Sequence, residues 1–278
     1  MSKTLYVTDL DGTLLSADAT LSEANARKIA SLTARGALIT CATARTPGTV
    51  QPLMAPAHLS APAIVMTGAA MWTIDGPDPH FEDVHAIPDT DLDAIDELFA
   101  KDRLTPFIYC VRDEGGAPLH FYHRGECMSD DENRFADMRS RLAMKRFHPC
   151  STAPREGRVL YFAMGKEEVI RHVAEGIRSV SKCALSCYPD SYTRGLYLLE
   201  VFAPGVSKAA AVERLARRTG CERTVVFGDN LNDLPMLGAA TVSVAAPGAL
   251  AEVKAKADIT LEPGETPVAD FIEKDYLC

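Results

Sequence analysis

The sequence predicts an α/β protein: a doubly wound parallel-sheet core interrupted by an inserted α+β domain. Three observations carry this reading. Short apolar β-forming runs alternate with amphipathic helical stretches in the first and last thirds of the chain, as right-handed βαβ crossovers require. The middle third changes to strands in hairpin succession with helices between them. Several of the outer runs end abruptly in acidic, glycine-containing or hydroxyl-bearing turns, the position at which open α/β sheets carry their chemistry. The core is assigned to residues 1–83 and 191–278, and the insert to residues 84–190.

The first run, Leu5-Tyr6-Val7-Thr8, leads into Asp9-Leu10-Asp11-Gly12-Thr13-Leu14. If the chain stays extended through Leu10, Asp9 and Asp11 point to one side. Two carboxylates so close repel unless a cation or a proton lies between them. Thr20-Leu21-Ser22-Glu23 has the spacing of a capping box with Thr20 as N-cap, opening a helix that Gly36 terminates. Ala37–Ala42 is a buried strand ending at Thr43, and Thr46-Pro47 starts the next helix. Ala63–Met66 is a further strand leading to Thr67-Gly68.

In the insert, a helix over Asp89–Lys101 precedes strands Phe107–Val111 and Leu119–His123, separated by Glu114-Gly115-Gly116. A charged stretch from Glu126 to Lys145 is read as largely helical, followed by strand Val159–Ala163 and helix Glu167–Val180. Leu196–Phe202 is read as a return to the core sheet, and Ser207 caps a helix ending near Gly220. Thr224–Phe227 is a strand running into Gly228-Asp229-Asn230-Leu231-Asn232-Asp233. Short strands at Thr241–Val244 and Asp258–Thr260 and a helix from Thr266-Pro267 to Tyr276 close the fold.

With 278 residues, 47% hydrophobic and 24% charged, the chain has the composition of a globular protein with ample core. A net charge of −9 argues against general nucleic-acid or membrane-surface binding, though a metal can offset it locally for a phosphorylated ligand. The N-terminus lacks a signal-peptide pattern, and no stretch approaches the ~18 apolar residues of a membrane span. The eight cysteines (Cys41, Cys110, Cys127, Cys150, Cys183, Cys187, Cys221 and Cys278) show no CxxC or finger spacing. A reducing, cytoplasmic setting is expected. No internal repeat or low-complexity tract is present.

Four strings, taken together, resemble the motifs of the haloacid dehalogenase superfamily. The Asp9–Thr13 DxDGT string is similar to motif I, Thr43 to motif II, Lys208 in Gly205-Val206-Ser207-Lys208 to motif III, and Gly228–Asp233 to motif IV. Their order, with a large insert between motifs II and III, resembles the Cof-like class IIB branch, whose α/β cap lies there. The sequence departs from the branch at Ala44 and Ala209, where Gly is common, and at Thr67, where Asn is common.

The resemblance implies a phosphatase. Asp9 would be the nucleophile, Asp11 the general acid and base, and Mg²⁺ the cofactor, held by Asp9, Asp11 (through its carbonyl), Asp229 and Asp233. Thr43 and Lys208 join the two aspartates as catalytic residues, while Leu10, Thr43, Ala44, Lys208 and Asn232 would bind the phosphate. Asp233 is expected to hold Lys208 or a metal-bound water. Lys208 sits at a helix start, where a cation is unfavourable unless an anion faces it. Arg45 is expected to pair with a carboxylate or the substrate, its role read as structural.

The implied partner is a small-molecule phosphate ester, such as a sugar phosphate or a pyridoxal or flavin phosphate, with no nucleic acid and no membrane. Oligomeric state is not legible. The cap would exclude water and select the substrate; Arg112, His120, His123 and Arg124 are candidates there, each expected to be solvated surface. Three rivals stand beside this reading. A phosphomutase of the same architecture would return the phosphoryl group to a second position. A DxD glycosyltransferase gives no reason for Lys208 or for Gly228–Asp233. A receiver-like phospho-acceptor has no use for the insert.

Overall fold

Leu5 and Val7 are fully buried, and the strand that carries them lies inside a parallel sheet, consistent with an apolar run covered on both faces. The computed structural model describes residues 3–76, 78–114, 116–125, 128–190 and 193–277. Gly115, Glu126, Cys127 and Cys278, and the domain break at residue 191, lie outside the described residues.

In chain order the elements begin with β1 (Thr4–Thr8), α1 (Glu23–Ala34), β2 (Leu38–Cys41), α2 (Pro47–Met54), β3 (Ala63–Val65), β4 (Ala70–Trp72) and β5 (Phe81–Glu82). They continue with α3 (Asp89–Lys101), β6 (Phe107–Glu114), β7 (Ala117–His123), α4 (Asp130–Ser140), β8 (Lys145–Pro149), β9 (Arg158–Lys166), α5 (Glu167–Val180), β10 (Cys183–Pro189) and β11 (Leu196–Pro204). The last are α6 (Lys208–Thr219), β12 (Arg223–Gly228), α7 (Leu234–Gly238), β13 (Val242–Ala245), α8 (Ala251–Lys254), β14 (Ile259–Thr260) and α9 (Pro267–Leu277).

The chain divides into two compact units: Met1–Glu82 with Ser207–Cys278, and Asp83–Val206. The first unit holds a five-stranded parallel sheet in the order β14-β13-β12-β1-β2. Leaving β1, the chain adds β2 on one side; the returning segment adds β12 on the other. The strand order therefore reverses at β1, and the C-terminal ends of β1, β2 and β12 meet at this switch point, where open α/β sheets carry their sites.

On one sheet face, Leu5, Val7 and Val226 pack in a buried cluster with Ala211 and Leu215 of α6 and Met236 and Leu237 of α7. On the other, the Tyr6 hydroxyl donates to Asp275 of α9 at 2.8 Å, and Phe227 meets Phe271 edge to face. The sheet is thus covered on both sides, which makes it doubly wound.

Local signals set most element ends. Pro47 is the first residue of α2, Ser207 accepts from the Ala210 N–H at 3.1 Å to cap α6, and Gly220 ends α6 with a left-handed φ of 66°. The N-cap of α1 is Ser22, accepting from the Asn25 N–H at 3.2 Å, and not Thr20 as the spacing suggested. Thr20 and Ser16 instead bond around the Asp18 carboxylate, an Asx-type turn that stops one step short of the helix.

Two strand expectations are corrected. β3 forms an antiparallel sheet with β4 and β5, touching the main sheet through the Ala42–Ile64 bridge. The Leu196–Phe202 run is not in the core: as β11 it pairs antiparallel with β9 and β10, so the second core segment begins at Ser207, not 191. The connection from β10 is too short for the crossover that a parallel partner needs. Glu200 in the middle of β11 also fits only a sheet with a polar face. It is half-buried, its carboxyl is pushed up to about 7 by burial, and Tyr188 donates to it.

The second unit is a six-stranded sheet in the order β10-β11-β9-β6-β7-β8, mostly antiparallel, with β7 and β8 parallel. β8 and β10 were not foreseen: β8 is short and polar, and β10 lacks a clean apolar–polar alternation. The expectation of solvated histidines fails: His120 and His123 are each about 1% exposed. His120 Nδ1 lies 2.9 Å from His148 Nε2, and the His123 ring packs tilted against the Phe107 ring, centroids 4.7 Å apart. Both histidines sit on β7, in the interior of the sheet, where neighbouring rings cover them. Arg112 pairs with Glu114, and Arg124 is exposed.

Lys145, the first residue of β8, is buried without a hydrogen-bond partner for Nζ, which lies 5.8 Å from the Tyr109 ring centroid. Burial, with Arg139 nearby, lowers its ammonium to about 7. The unfolded chain then binds more protons than the native one between that value and the ordinary 10.5, so stability rises as pH climbs through this window. Lys145→Met should stabilise the unit by about 2 kcal/mol at pH 7, with a smaller gain at pH 9.5, measured by calorimetry.

Candidate active site

The parallel pairing of β1 with β12 runs past the strand end, where the Asp9 N–H donates to the Phe227 carbonyl at 3.0 Å. That ladder places Asp9 beside the segment following β12. The next residues turn sharply: Leu15 N–H closes on the Leu10 carbonyl at 2.9 Å, and Gly12 adopts φ +78°. A Cβ at Gly12 would fall 2.2 Å from Asp229 Oδ2, so only glycine lets the turn and Asp229 share this space. Thr13 donates its hydroxyl to Asp229 Oδ1 at 3.1 Å, tying the two segments together.

Lys208 is the first residue of α6 and about 5% exposed; its Nζ donates to Asp9 Oδ1 at 2.6 Å and to Asp233 Oδ1 at 2.8 Å. Asp233 is fully buried, and its Oδ2 accepts from the Asp229 and Asn230 N–H groups at 3.2 and 3.3 Å. Both oxygens of Asp233 are therefore engaged, one holding the ammonium and the other closing the 229–233 turn.

Oxygens of Asp9, Asp229 and Asp233 all lie within 4.8 Å of one another. Three carboxylates and one ammonium leave a two-fold negative excess when all are charged. Burial pushes the Asp9 carboxyl up to about 7 and Asp233 adds to the rise, while Lys208 opposes it. Burial also raises Asp229, with Asp233 and Asp11 contributing. Burial alone would lower Lys208, but Asp9 and Asp233 together outweigh it and keep the ammonium above the ordinary lysine range.

Thr43 follows β2 and is about 1% exposed; its hydroxyl accepts from the Arg45 N–H at 3.1 Å. The Met66–Gly68 turn backs this loop, with Met66 N–H donating to the Arg45 carbonyl at 2.9 Å and Thr67 N–H to the Thr43 carbonyl at 3.0 Å. Arg45 itself grips Asp11 with both arms of its fork, Nε to Oδ2 at 2.8 Å and Nη2 to Oδ1.

The family model for haloacid dehalogenase-like hydrolases matches residues 6–272, nearly the whole chain. The chain belongs to that family. Solved structures share its fold at low identity. A haloacid dehalogenase-like hydrolase from Bacteroides thetaiotaomicron is 21% identical, with 99% of this chain and 100% of that one covered and a TM-score of 0.74. A phosphatase of the superfamily from the same organism is 21% identical, with 100% and 96% covered and a TM-score of 0.73. A subclass IIB sugar phosphatase is 22% identical, with both chains fully covered and a TM-score of 0.70.

In this haloacid dehalogenase-like hydrolase the structure gathers Asp9, Lys208, Asp229 and Asp233 into one cluster. The Asp9 carboxylate also accepts from the Leu10 N–H, so Leu10 contributes its backbone while its side chain is buried. Asp11 and Arg45 form a separate ion pair, with the Asp11 side chain about 55% exposed. Asn232 and Ala44 are exposed, and Asn232 makes no hydrogen bond with the cluster among the described residues. Sequence reasoning missed Thr13 as the partner of Asp229; the signal was its place directly after the obligatory Gly12.

The donor set fits a hard divalent cation. Asp9 and Asp229 bring carboxylate oxygens to one point, and the charge excess equals what such an ion removes. Asp233, with both oxygens spent on hydrogen bonds, suits the outer role of orienting Lys208 and the turn.

Proposed function

We propose that the protein is a Mg²⁺-dependent phosphatase of a small phosphorylated metabolite, acting through an aspartyl phosphate on Asp9. The observation that carries this reading is the buried cluster in which one lysine bridges two aspartates beside a third, at the sheet's switch point. The likeness in fold to a subclass IIB sugar phosphatase favours a sugar phosphate as the substrate class.

The residues divide the work. Asp9 attacks phosphorus in line and carries the phosphoryl group. Lys208, fixed by Asp233, presents a point charge to the non-bridging oxygens, and the Thr43 hydroxyl with nearby backbone N–H groups completes the cradle. Asp11 protonates the leaving oxygen and then accepts a proton from the attacking water. Asp9 and Asp229 would hold the ion, joined by the Asp11 carbonyl. When bound, Mg²⁺ offsets the charge of the two anions that must meet.

A screen of phosphorylated metabolites should release free orthophosphate as the main product with Mg²⁺ present. Excess chelator should abolish at least ~99% of the activity, restored on adding Mg²⁺ back, and Mg²⁺ should raise Tm by binding only the folded state. Transfer of the phosphoryl group to a second position on the substrate, without release, would replace this reading with a mutase.

A further inference from the structure

The pairing of Arg45 with Asp11 has geometry that a chance surface contact lacks. The guanidinium meets the carboxylate through two parallel contacts, the arrangement that fixes orientation as well as charge. Arg45 is in turn held at both ends of its own backbone: its N–H bonds to the Thr43 hydroxyl and its carbonyl accepts from Met66.

The turn that supplies the Met66 contact is strained. Met66 and Thr67 take φ values of 48° and 59°, a left-handed conformation that a β-branched threonine resists, before Gly68 at 95°. Strain of this kind persists where surrounding structure over-determines it, and it clusters at functional sites. Gly68 is wedged against the Ser207 carbonyl, where a Cβ would come within 2.4 Å, and Ser207 caps the helix that opens with Lys208. A continuous series of contacts therefore runs from Lys208 through the Met66–Gly68 turn to Arg45 and on to Asp11. The Asp11 carboxylate is outside the cluster formed by Asp9, Asp229 and Asp233. Its side chain, more than half exposed, takes its bidentate partner from another loop.

We propose that Arg45 is a positioning residue for the reaction, holding the Asp11 carboxyl where it exchanges protons with the oxygen entering or leaving phosphorus. This role rests on the phosphatase reading of the same site. In the first step the Asp9–phosphorus bond forms and the phosphorus–ester oxygen bond breaks. The electron pair stays on that oxygen, which takes the Asp11 proton. In the second step water's oxygen bonds phosphorus, its proton passes to Asp11, and the Asp9–phosphorus bond breaks. Arg45 touches neither reacting oxygen and acts through Asp11.

The test compares benzyl phosphate, whose alkoxide needs a proton to leave, with p-nitrophenyl phosphate, whose phenolate leaves without one. The quantity is kcat/KM with Mg²⁺, which counts events only through the transfer to Asp9. Arg45→Ala should lose about 100-fold on the benzyl ester and less than about 3-fold on the nitrophenyl ester, the scale expected for a misplaced general acid. Arg45→Lys, keeping the charge but not the fork, should fall between. In an Asp11→Asn background, Arg45→Ala should add no further loss, with Tm confirming that each variant is folded. Equal losses on both esters, or losses that multiply in the double variant, overturn the positioning role while leaving the phosphatase reading intact. A wild-type protein inert toward both esters overturns the phosphatase reading and this role with it.

Discussion

Asp9→Asn should cut phosphate release by about 10⁴-fold or more while leaving the fold in place, because it removes the carboxylate oxygen proposed to accept the phosphoryl group. The amide is the same size as the carboxyl and can still accept from the Lys208 ammonium now 2.6 Å away. The variant should be at least as stable as wild type without metal. In the metal-free protein, burial pushes Asp9 up to about 7 from its ordinary 3.8, so the native state binds more protons than the unfolded one across that window. Stability should therefore fall as pH rises from about 4 to 7 in the wild type, and this slope should weaken in Asp9→Asn. The Tm gain on adding Mg²⁺ should shrink too, since one proposed ligand is gone. Substantial turnover by a folded Asp9→Asn protein would end the aspartyl-phosphate mechanism.

Lys208→Met should damage both stability and activity. It leaves Asp9 and fully buried Asp233 facing each other without their shared countercharge. Breaking a buried ion pair in this way costs about 3–5 kcal/mol, far more than the loss of a surface lysine. Activity should fall about 10³-fold through loss of charge stabilisation on the transferring group. Mg²⁺ should recover part of the stability, because a second cation can replace some of the missing charge, but little of the activity. Urea denaturation with and without Mg²⁺ separates the two effects. An unchanged midpoint would mean that the ammonium contributes nothing to the cluster.

Much of the site was legible because its parts are contiguous. The carboxylates and glycine of Asp9–Gly12 lie within one turn, and Gly228–Asp233 carries both Asp229 and the residue that closes its turn. The Lys208 argument was also local: a cation at a helix start needs an anion, and two anions meet it. Arg45 was read no further than a structural pairing, because nothing along the chain says that Asp11, 34 residues away, would be the partner. The burial of His120 and His123 was missed for a related reason. A histidine in an alternating strand reads as polar face until the rings packed against it are known.

By itself, the sequence determined the alternation of strands and helices, several of the caps and stops, and the four strings that had to converge if any chemistry was to occur. These depend on neighbours within a few residues, where backbone conformation and hydrophobic period decide the outcome. Only the tertiary structure decided which sheet received β11, that Asp233 bonds the Lys208 ammonium directly, and that Arg45 clasps Asp11. Strand partners and ion pairs far apart in the chain are selected by which surfaces exclude water together, a choice made by the whole fold at once.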